Sequence, residues 1–547
     1  MGKLEIKNVS SLEKIMPNMN CNAAAFDKGS ALVDEVFSYQ IAFKSNLNLH
    51  QGKELQLEIC SDIAECITLY NIRYVPVIMN RFRDEPDDNY ISECPGLFPD
   101  VLEPYTDFVP VSSNTYGAVW VDIKISRRTN PGIYSIKIVF KDSDNNEMWA
   151  ESNFELEVIG AKLPKLDIPY AHWMYCDCIS SYYGCEIFSE RHWTLIDNYM
   201  RTAAENGVNM MLTPVFTPPL DTKIGAERPT IQLVDVTYVS GKYRFNFKKL
   251  LRWFEICKKN HIEYIEISHL FSQWGAEYAP KIEVTENGKK IKKFGRHAGS
   301  LDENYKDFLT QFIPELKGVL EKNWNKEKVY FHISDEPNEK HIELYGKIYN
   351  FVKPLFGDFK QMDAMSDYEL FEKGFIETPI VATTSINSFL GKGIKNLWVY
   401  YCCGQGKSNL SNRFIAMPSY RNRIMGIQLY RNDIKGFLQW GYNFYYSQQS
   451  THMINPYLVT DGEYAFPAGD AFSVYPGTDG PLESIRIKVF KHGLQDFMAL
   501  KLLENYIGKD AVQDIVKDVE SFSVYPNNAE YILKVRKAVN EFIKDEL

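Results

Sequence analysis

Over roughly the first 160 residues, apolar and polar side chains alternate in short runs. Tyr39-Gln40-Ile41-Ala42-Phe43, Leu55-Gln56-Leu57-Glu58-Ile59, Ala118-Val119-Trp120-Val121-Asp122-Ile123 and Tyr134-Ser135-Ile136-Lys137-Ile138-Val139-Phe140 all follow this pattern, the last after the turn Asn130-Pro131-Gly132. A period of two places alternate side chains on opposite faces of a strand, and Pro/Gly punctuation separates the strands. With almost no helical stretch, the pattern predicts an antiparallel β-sandwich over residues 1–160. Residues 160–169, which contain Pro164 and Pro169, read as a linker.

From about residue 170 the rhythm becomes strand then helix, repeated. Strands are predicted at 171–176, 208–213, 263–269, 328–334, 361–365, 379–384, 396–402 and 436–443, and helices at 190–205, 247–259, 303–322 and 339–354. Eight strands with helical or loop connections match a (β/α)8 barrel, placed at 165–482. Helical spacing resumes beyond it, with further helices predicted at 509–520 and 528–545, so 483–547 is read as C-terminal helices packed on the barrel. The connections 215–245 and 270–300 are long, and in such a barrel they extend the face where ligands bind. A doubly wound sheet would instead often carry a glycine-rich phosphate loop. Cys403-Gly404-Gln405-Gly406-Lys407-Ser408 resembles one, but Tyr401 stands where the first glycine is required.

Composition narrows the classes. The 547 residues are 45% hydrophobic and 24% charged, which is globular, and the formal charge of −10 disfavours nucleic acid as a partner. The basic run Lys289-Lys290-Ile291-Lys292-Lys293 follows Asn287-Gly288, a tight-turn dipeptide, and is expected to be a solvated hairpin arm. The charged N-terminal segment beginning Met1-Gly2-Lys3 does not look like a secretory leader, and no stretch is apolar enough to span a membrane. A cytoplasmic location with reduced thiols is therefore expected. His172, Cys176, Cys178 and Cys185 form a loose cluster without the paired spacing of structural zinc, so neither metal nor cofactor is expected. Aromatic residues are abundant, with 33 Phe, 34 Tyr and 9 Trp, and they can serve either as core or as stacking faces for sugars.

The chemistry concentrates at Val329-Tyr330-Phe331-His332-Ile333-Ser334-Asp335-Glu336-Pro337, where an apolar strand runs into two adjacent carboxylates. This is the end of the predicted fourth barrel strand, on the face where barrel enzymes carry their active sites. Neighbours on a regular strand point apart, so Asp335 and Glu336 share a pocket only if the chain bends there. Two close carboxylates split their pKa values into an acid and an anion, the division that glycoside cleavage needs. The alternative is that Asp335 caps the next helix while Glu336 lies in solvent. Trp398 and Tyr400 on the seventh strand, and Trp440 and Tyr442 on the eighth, are candidate sugar platforms or barrel filling. His269, near the end of the third strand, is a candidate for a ligand hydroxyl or a core histidine.

The segments Ser334-Asp335-Glu336-Pro337, Gly436-Phe437-Leu438-Gln439-Trp440-Gly441-Tyr442-Asn443, Ser473-Val474-Tyr475-Pro476-Gly477, Gly480-Pro481-Leu482-Glu483-Ser484-Ile485-Arg486 and Gly493-Leu494-Gln495-Asp496 resemble glycoside hydrolase family 123. The resemblance spans roughly residues 165 to 505. It implies a retaining, exo-acting β-N-acetylgalactosaminidase acting on terminal β-linked GalNAc of oligosaccharides or glycosphingolipid glycans. The substrate's own 2-acetamido oxygen would be the nucleophile, with Asp335 polarising the acetamido N–H and Glu336 serving as acid and then base. Two other readings stay open: a β-N-acetylglucosaminidase-type hexosaminidase, and a non-catalytic glycan-binding barrel. Oligomeric state is not legible.

Overall fold

The computed structural model describes residues 3–47, 49, 52–82, 87–222 and 227–547. Met1 and Gly2 of the N-terminal segment, and 223–226 of the first long connection, lie outside the described residues.

The N-terminal region is a sandwich of a seven-stranded and a five-stranded sheet. Its strands pair antiparallel except Lys28–Val33, which runs parallel to Met148–Lys162. The alternating positions do what the pattern predicts: Tyr39, Ile41, Val119, Val121, Ile136 and Ile138 all face a shared dry core.

Eight parallel strands then close into a barrel: Tyr170–His172, Met210–Thr213, Tyr264–Ile267, Val329–Phe331, Lys360–Met365, Thr378–Ala382, Trp398–Tyr401 and Phe437–Gln439. The last pairs with the first through Tyr170 and Phe437. Ala171, Leu212, Ala364, Ile380, Tyr400 and Leu438 belong to the interior cluster, whereas Met211, Ile265, Phe331, Val399 and Tyr401 pack in the outer layer with the surrounding helices. Glu190–Glu205, Lys248–Lys259, Glu303–Asn323 and Ile342–Phe356 are among those helices.

The two long connections meet on one side. The hairpin Asp235–Val239/Lys242–Asn246 pairs with the hairpin Ile282–Glu286/Lys289–Phe294. The second turns at Asn287 and Gly288, with φ of 51° and 76°, the left-handed pair a tight hairpin turn needs. Lys289, Lys290 and Lys292 are exposed, whereas Lys293 is partly buried over the Tyr238 ring and pairs with Glu286 at 2.9 Å.

The C-terminal region corrects the expected partition. Val474–Pro476 and Pro481–Ser484 join the larger sandwich sheet beside Gly96–Pro104, so the 482/483 boundary falls within one shared structure. Helix Ile485–Ile507 and helix Ala529–Asp545 pack on the sandwich as well as the barrel. Buried pairs fasten them: Arg486 with Asp100 at 2.9 Å, and Arg536 with Glu35 at 2.6 Å. In each pair the carboxylate offsets the cost of burying the guanidinium, so the junction is specific as well as apolar. No helix among the described residues is long and apolar enough to cross a membrane.

Candidate active site

The fourth barrel strand stops at Phe331, and the chain is then held by side chains rather than by a ladder. Asp363 Oδ1, on the fifth strand, accepts the amides of Ile333 (3.0 Å) and Ser334 (3.2 Å), while Ser334 Oγ donates to the Ser272 carbonyl at 2.7 Å. The Trp274 amide donates to the Asp335 carbonyl at 2.8 Å, and the Glu336 amide to that of Ala364 at 3.2 Å. Glu336 is left-handed, with φ of 47°. A bulky residue rarely adopts that conformation, which costs energy and collects at functional sites. The bend breaks the strand alternation that would have pointed Asp335 and Glu336 apart. Helix capping is done elsewhere: the Asn338 side chain accepts the Lys340 amide, so Asp335 is not the cap.

Asp335 is buried, and its Oδ2 accepts from Gln273 Nε2 at 2.8 Å. Burial, and next the neighbouring Glu336 charge, hold its carboxyl well above the usual range. The family resemblance gives Asp335 the anionic role, and this environment works against that charge. Glu336 Oε1 accepts from the Tyr400 hydroxyl at 2.6 Å.

Beneath the pair lies a dry polar floor. His332 is flanked by Glu266 (2.6 Å from Nε2) and Asp363 (3.0 Å from Nδ1). Burial opposes protonation of His332, but these two carboxylates outweigh it and push its pKa up to about 10. Trp173 Nε1 also donates to Glu266, at 2.7 Å, and Tyr345 and Gln361 donate to Asp363 Oδ2. His269 stacks on His332 with ring centres 4.2 Å apart. Burial and the His332 charge depress its pKa, so it is neutral, and both its ring nitrogens are buried without partners.

Residues 173–503 match the family model described as glycoside hydrolase 123, catalytic domain, which is more than half of the chain. The chain belongs to glycoside hydrolase family 123. A solved family 123 glycoside hydrolase from Clostridium perfringens, described in terms of glycolipid glycan hydrolysis, superposes with a TM-score of 0.73 at 14% identity, covering 99% of this chain and 97% of that one. A β-glucuronidase from Bacteroides uniformis aligns at 12% identity over 81% of this chain and 47% of its own, with a TM-score of 0.30. No curated protein matches the chain.

Within this family 123 barrel the four candidate aromatics separate. Tyr400 reaches the carboxylate pair. Trp440 follows the eighth strand on the inner face; the register Tyr400↔Leu438 sets it one step further toward the mouth than Tyr400. It is half-buried, donates from Nε1 to Asp470 Oδ2 at 3.1 Å, and packs on Phe466. Burial lifts the Asp470 carboxyl to about 7. Trp398 is two residues below Tyr400, fully buried against Tyr330 at the opposite end of the barrel, so it fills the interior and does not meet a ligand at the mouth. Tyr442 is also removed from the candidate surface. Gly441 sits so close to the Asp470 carbonyl that a Cβ would lie 2.2 Å from it, and the turn there sends Tyr442 outward. Its hydroxyl donates to the Tyr199 carbonyl at 2.8 Å in the layer between strand and helix.

Two residues of the site carried no sequence signal. Gln273 and Trp274 lie in the long connection after the third strand, outside any periodic pattern. Gln273 touches Asp335, and Trp274, whose amide donates to the Asp335 carbonyl, is 45% exposed. The only hint was the length of that connection. His172, Cys176 and Cys178 are buried, and His172 receives a hydrogen bond from Arg413 at 2.8 Å.

Proposed function

We propose that this family 123 enzyme is a retaining, exo-acting β-N-acetylgalactosaminidase that removes terminal β-linked GalNAc from glycans, including glycolipid glycans, by substrate-assisted catalysis. One observation carries the reading: the left-handed backbone at Glu336 turns two consecutive carboxylates, Asp335 and Glu336, toward one barrel mouth. The C. perfringens relative, described for glycolipid glycan hydrolysis, supports the substrate class.

In this mechanism the acetamido oxygen attacks C1 as the glycosidic bond breaks, and the proton of Glu336 passes to the leaving oxygen. The N–H of the acetamide donates to Asp335, whose negative charge offsets the positive charge of the oxazolinium. Gln273 occupies Oδ2 of Asp335, which leaves Oδ1 for that N–H. The positive charge of His332 and the incoming N–H both favour the anionic form of Asp335, countering its burial. Water then adds at C1, Glu336 takes its proton, and the acetamide is regenerated with the β configuration kept. Tyr400 orients Glu336, while Trp274 and Trp440 offer faces for the sugar ring.

The test is a hydrolysis panel of β-linked aryl sugars with and without the acetamido group, in galacto and gluco forms, alongside a thiazoline inhibitor. Turnover confined to acetamido sugars, preference for the galacto form and inhibition by the thiazoline are expected. Equal turnover of sugars lacking the acetamide would overturn the mechanism, and preference for the gluco form would overturn the GalNAc assignment.

A further inference from the structure

A cleft of about 620 Å³ opens at the end of the barrel opposite the candidate active site. Val208, Asn209 and Glu263, which lead into the second and third barrel strands, line its floor, so it faces away from Asp335 and Glu336. The linker closes one side through Leu163 and Lys165, the sandwich adds Arg127 and Lys162, and helix Ile485–Ile507 adds Lys491, Leu494 and Met498. Clefts of this size take small ligands.

Its charge is opposite to that of the chain. Six Lys or Arg side chains line it against three Asp or Glu, on a protein of formal charge −10. Two of the acids are taken: Asp34 holds Arg127 at 3.0 Å and Lys162 at 3.6 Å, and Glu263 holds Lys328 at 2.6 Å. Lys259 is paired with Asp197. Lys165, Arg201 and Lys491 are left with no ion pair among the described residues, against the single carboxylate of Glu205. Helix ends explain only part of this. Helices Glu190–Glu205 and Lys248–Lys259 finish at the cleft, where their terminal carbonyls attract Arg201 and Lys259. Lys165 is on the linker and Lys491 is inside its helix, so no helix end accounts for them. Burial, and next the charge of Lys488, lower the Lys491 ammonium to about 8. The two carboxylates that act on it, Asp122 and Glu483, are bonded to Lys488 at 2.9 and 2.6 Å. A partly buried ammonium without a counter-charge costs stability that a bound anion offsets.

We infer that this cleft binds a phosphate monoester of a small organic molecule. Three unpaired cations around one opening match a dianion better than a single carboxylate, and Arg201 brings the planar fork that suits phosphate oxygens. The phosphate group fills only part of the space. Leu163, Leu494 and Met498 supply an apolar wall for the body that carries it. The site stands apart from the glycosidase reading, because it lies at the base of the barrel and shares no residue with the carboxylate pair. It joins the sandwich, the linker, the barrel and helix Ile485–Ile507, so a bound ligand ties those parts together without touching the chemistry at the mouth.

The probe is phenyl phosphate, titrated calorimetrically into the full chain at about 0.15 M NaCl, where non-specific attraction is screened. Inorganic phosphate and benzoate are titrated alongside. Saturable binding of phenyl phosphate at one site is expected, about tenfold tighter than benzoate, which lacks the second charge, and than inorganic phosphate, which lacks the body. Lys491→Met, which keeps the aliphatic stem, and Arg201→Met should each weaken binding about tenfold, the worth of one charge-assisted hydrogen bond, while Lys491→Arg should hold it. Arg201 is exposed, so its replacement tests the site even if loss of Lys491 disturbs folding. Absent binding, or equal binding in wild type and both Met variants, overturns the site. Benzoate binding as tightly as phenyl phosphate overturns the phosphate assignment, and inorganic phosphate doing so overturns the organic body. Hydrolysis of an aryl glycoside should be unchanged at saturating phenyl phosphate; competitive inhibition would put the ligand at the mouth and overturn the location.

Discussion

Asp335→Asn is the sharpest perturbation of the proposed chemistry, because the structure dictates how the new amide must sit. Gln273 Nε2 donates to Oδ2 at 2.8 Å, so an asparagine keeps its carbonyl toward Gln273 and turns its NH2 toward the substrate. The acetamido N–H then meets a donor in place of an acceptor. The loss combines a charge-assisted hydrogen bond, about 1.5 to 3 kcal/mol, with the missing charge opposite the oxazolinium. Removing one such preorganised group costs about 10²–10³ in kcat, or about 2.7–4 kcal/mol. The assay is kcat on 4-nitrophenyl β-N-acetylgalactosaminide, where the good leaving group makes formation of the oxazoline depend on Asp335 rather than on proton donation. Adding Gln273→Ala frees the asparagine to rotate its carbonyl toward the substrate. The double variant should therefore recover part of the loss, a non-additivity expected only for groups in contact. Wild-type kcat in Asp335→Asn would refute the role of Asp335, and strict additivity with Gln273→Ala would refute the orientation argument.

Glu336→Gln should lower kcat/KM on unactivated glycosides by about 10²–10⁴ and much less on aryl glycosides, since only the former need an acid; equal losses on both would contradict the assignment. Tyr442→Phe should cost about 1 kcal/mol of stability, read from denaturant midpoints, because it deletes a buried hydrogen bond to Tyr199, with KM unchanged because the ring is behind the barrel wall. His332 has a folded-state pKa of about 10, above its ordinary 6.5, so its protonation stabilises the fold fully below pH 6.5 and the contribution fades as pH rises through 10. The stability gap between wild type and His332→Gln should narrow over that window; a gap that widens would reverse the sign of the argument. Trp274→Ala should raise KM for the aryl substrate several-fold with little change in melting temperature, as expected for an exposed indole used for stacking.

Most of the secondary structure was legible because it is periodic. The helix predicted at 190–205 is Glu190–Glu205 in the structure, and all eight barrel strands fall within their predicted segments or one residue from them. Burial on one face imposes a period of two or 3.6, and a single sequence carries that signal. The carboxylate pair stood out for another reason: an apolar strand predicted to end on the ligand-binding face of a barrel runs into two adjacent acids, with helix capping as the open alternative. What could not be read was the direction of each side chain beyond the last ladder bond. Trp440 and Tyr442 are two residues apart and look equivalent on a regular strand. The crowding of Gly441 against the Asp470 carbonyl turns one toward the mouth and the other into the helix layer. Trp398 has the right face but packs on Tyr330 at the far end of the barrel, two residues before Tyr400.

The same distinction separates local from distant determinants throughout the chain. Pattern and turn chemistry in the sequence determined the sandwich, the barrel, the Asn287-Gly288 hairpin and the location of Asp335 and Glu336, since each depends on residues within one or two turns of one another. Tertiary structure alone decided which groups meet that pair: Gln273 from 62 residues away and Tyr400 from 64. It also decided that the charge on His332 lies beneath the pair and that Asp335 is the drier carboxyl. Those outcomes depend on contacts between distant segments and on how much water each group retains, quantities that exist only once the chain has closed on itself.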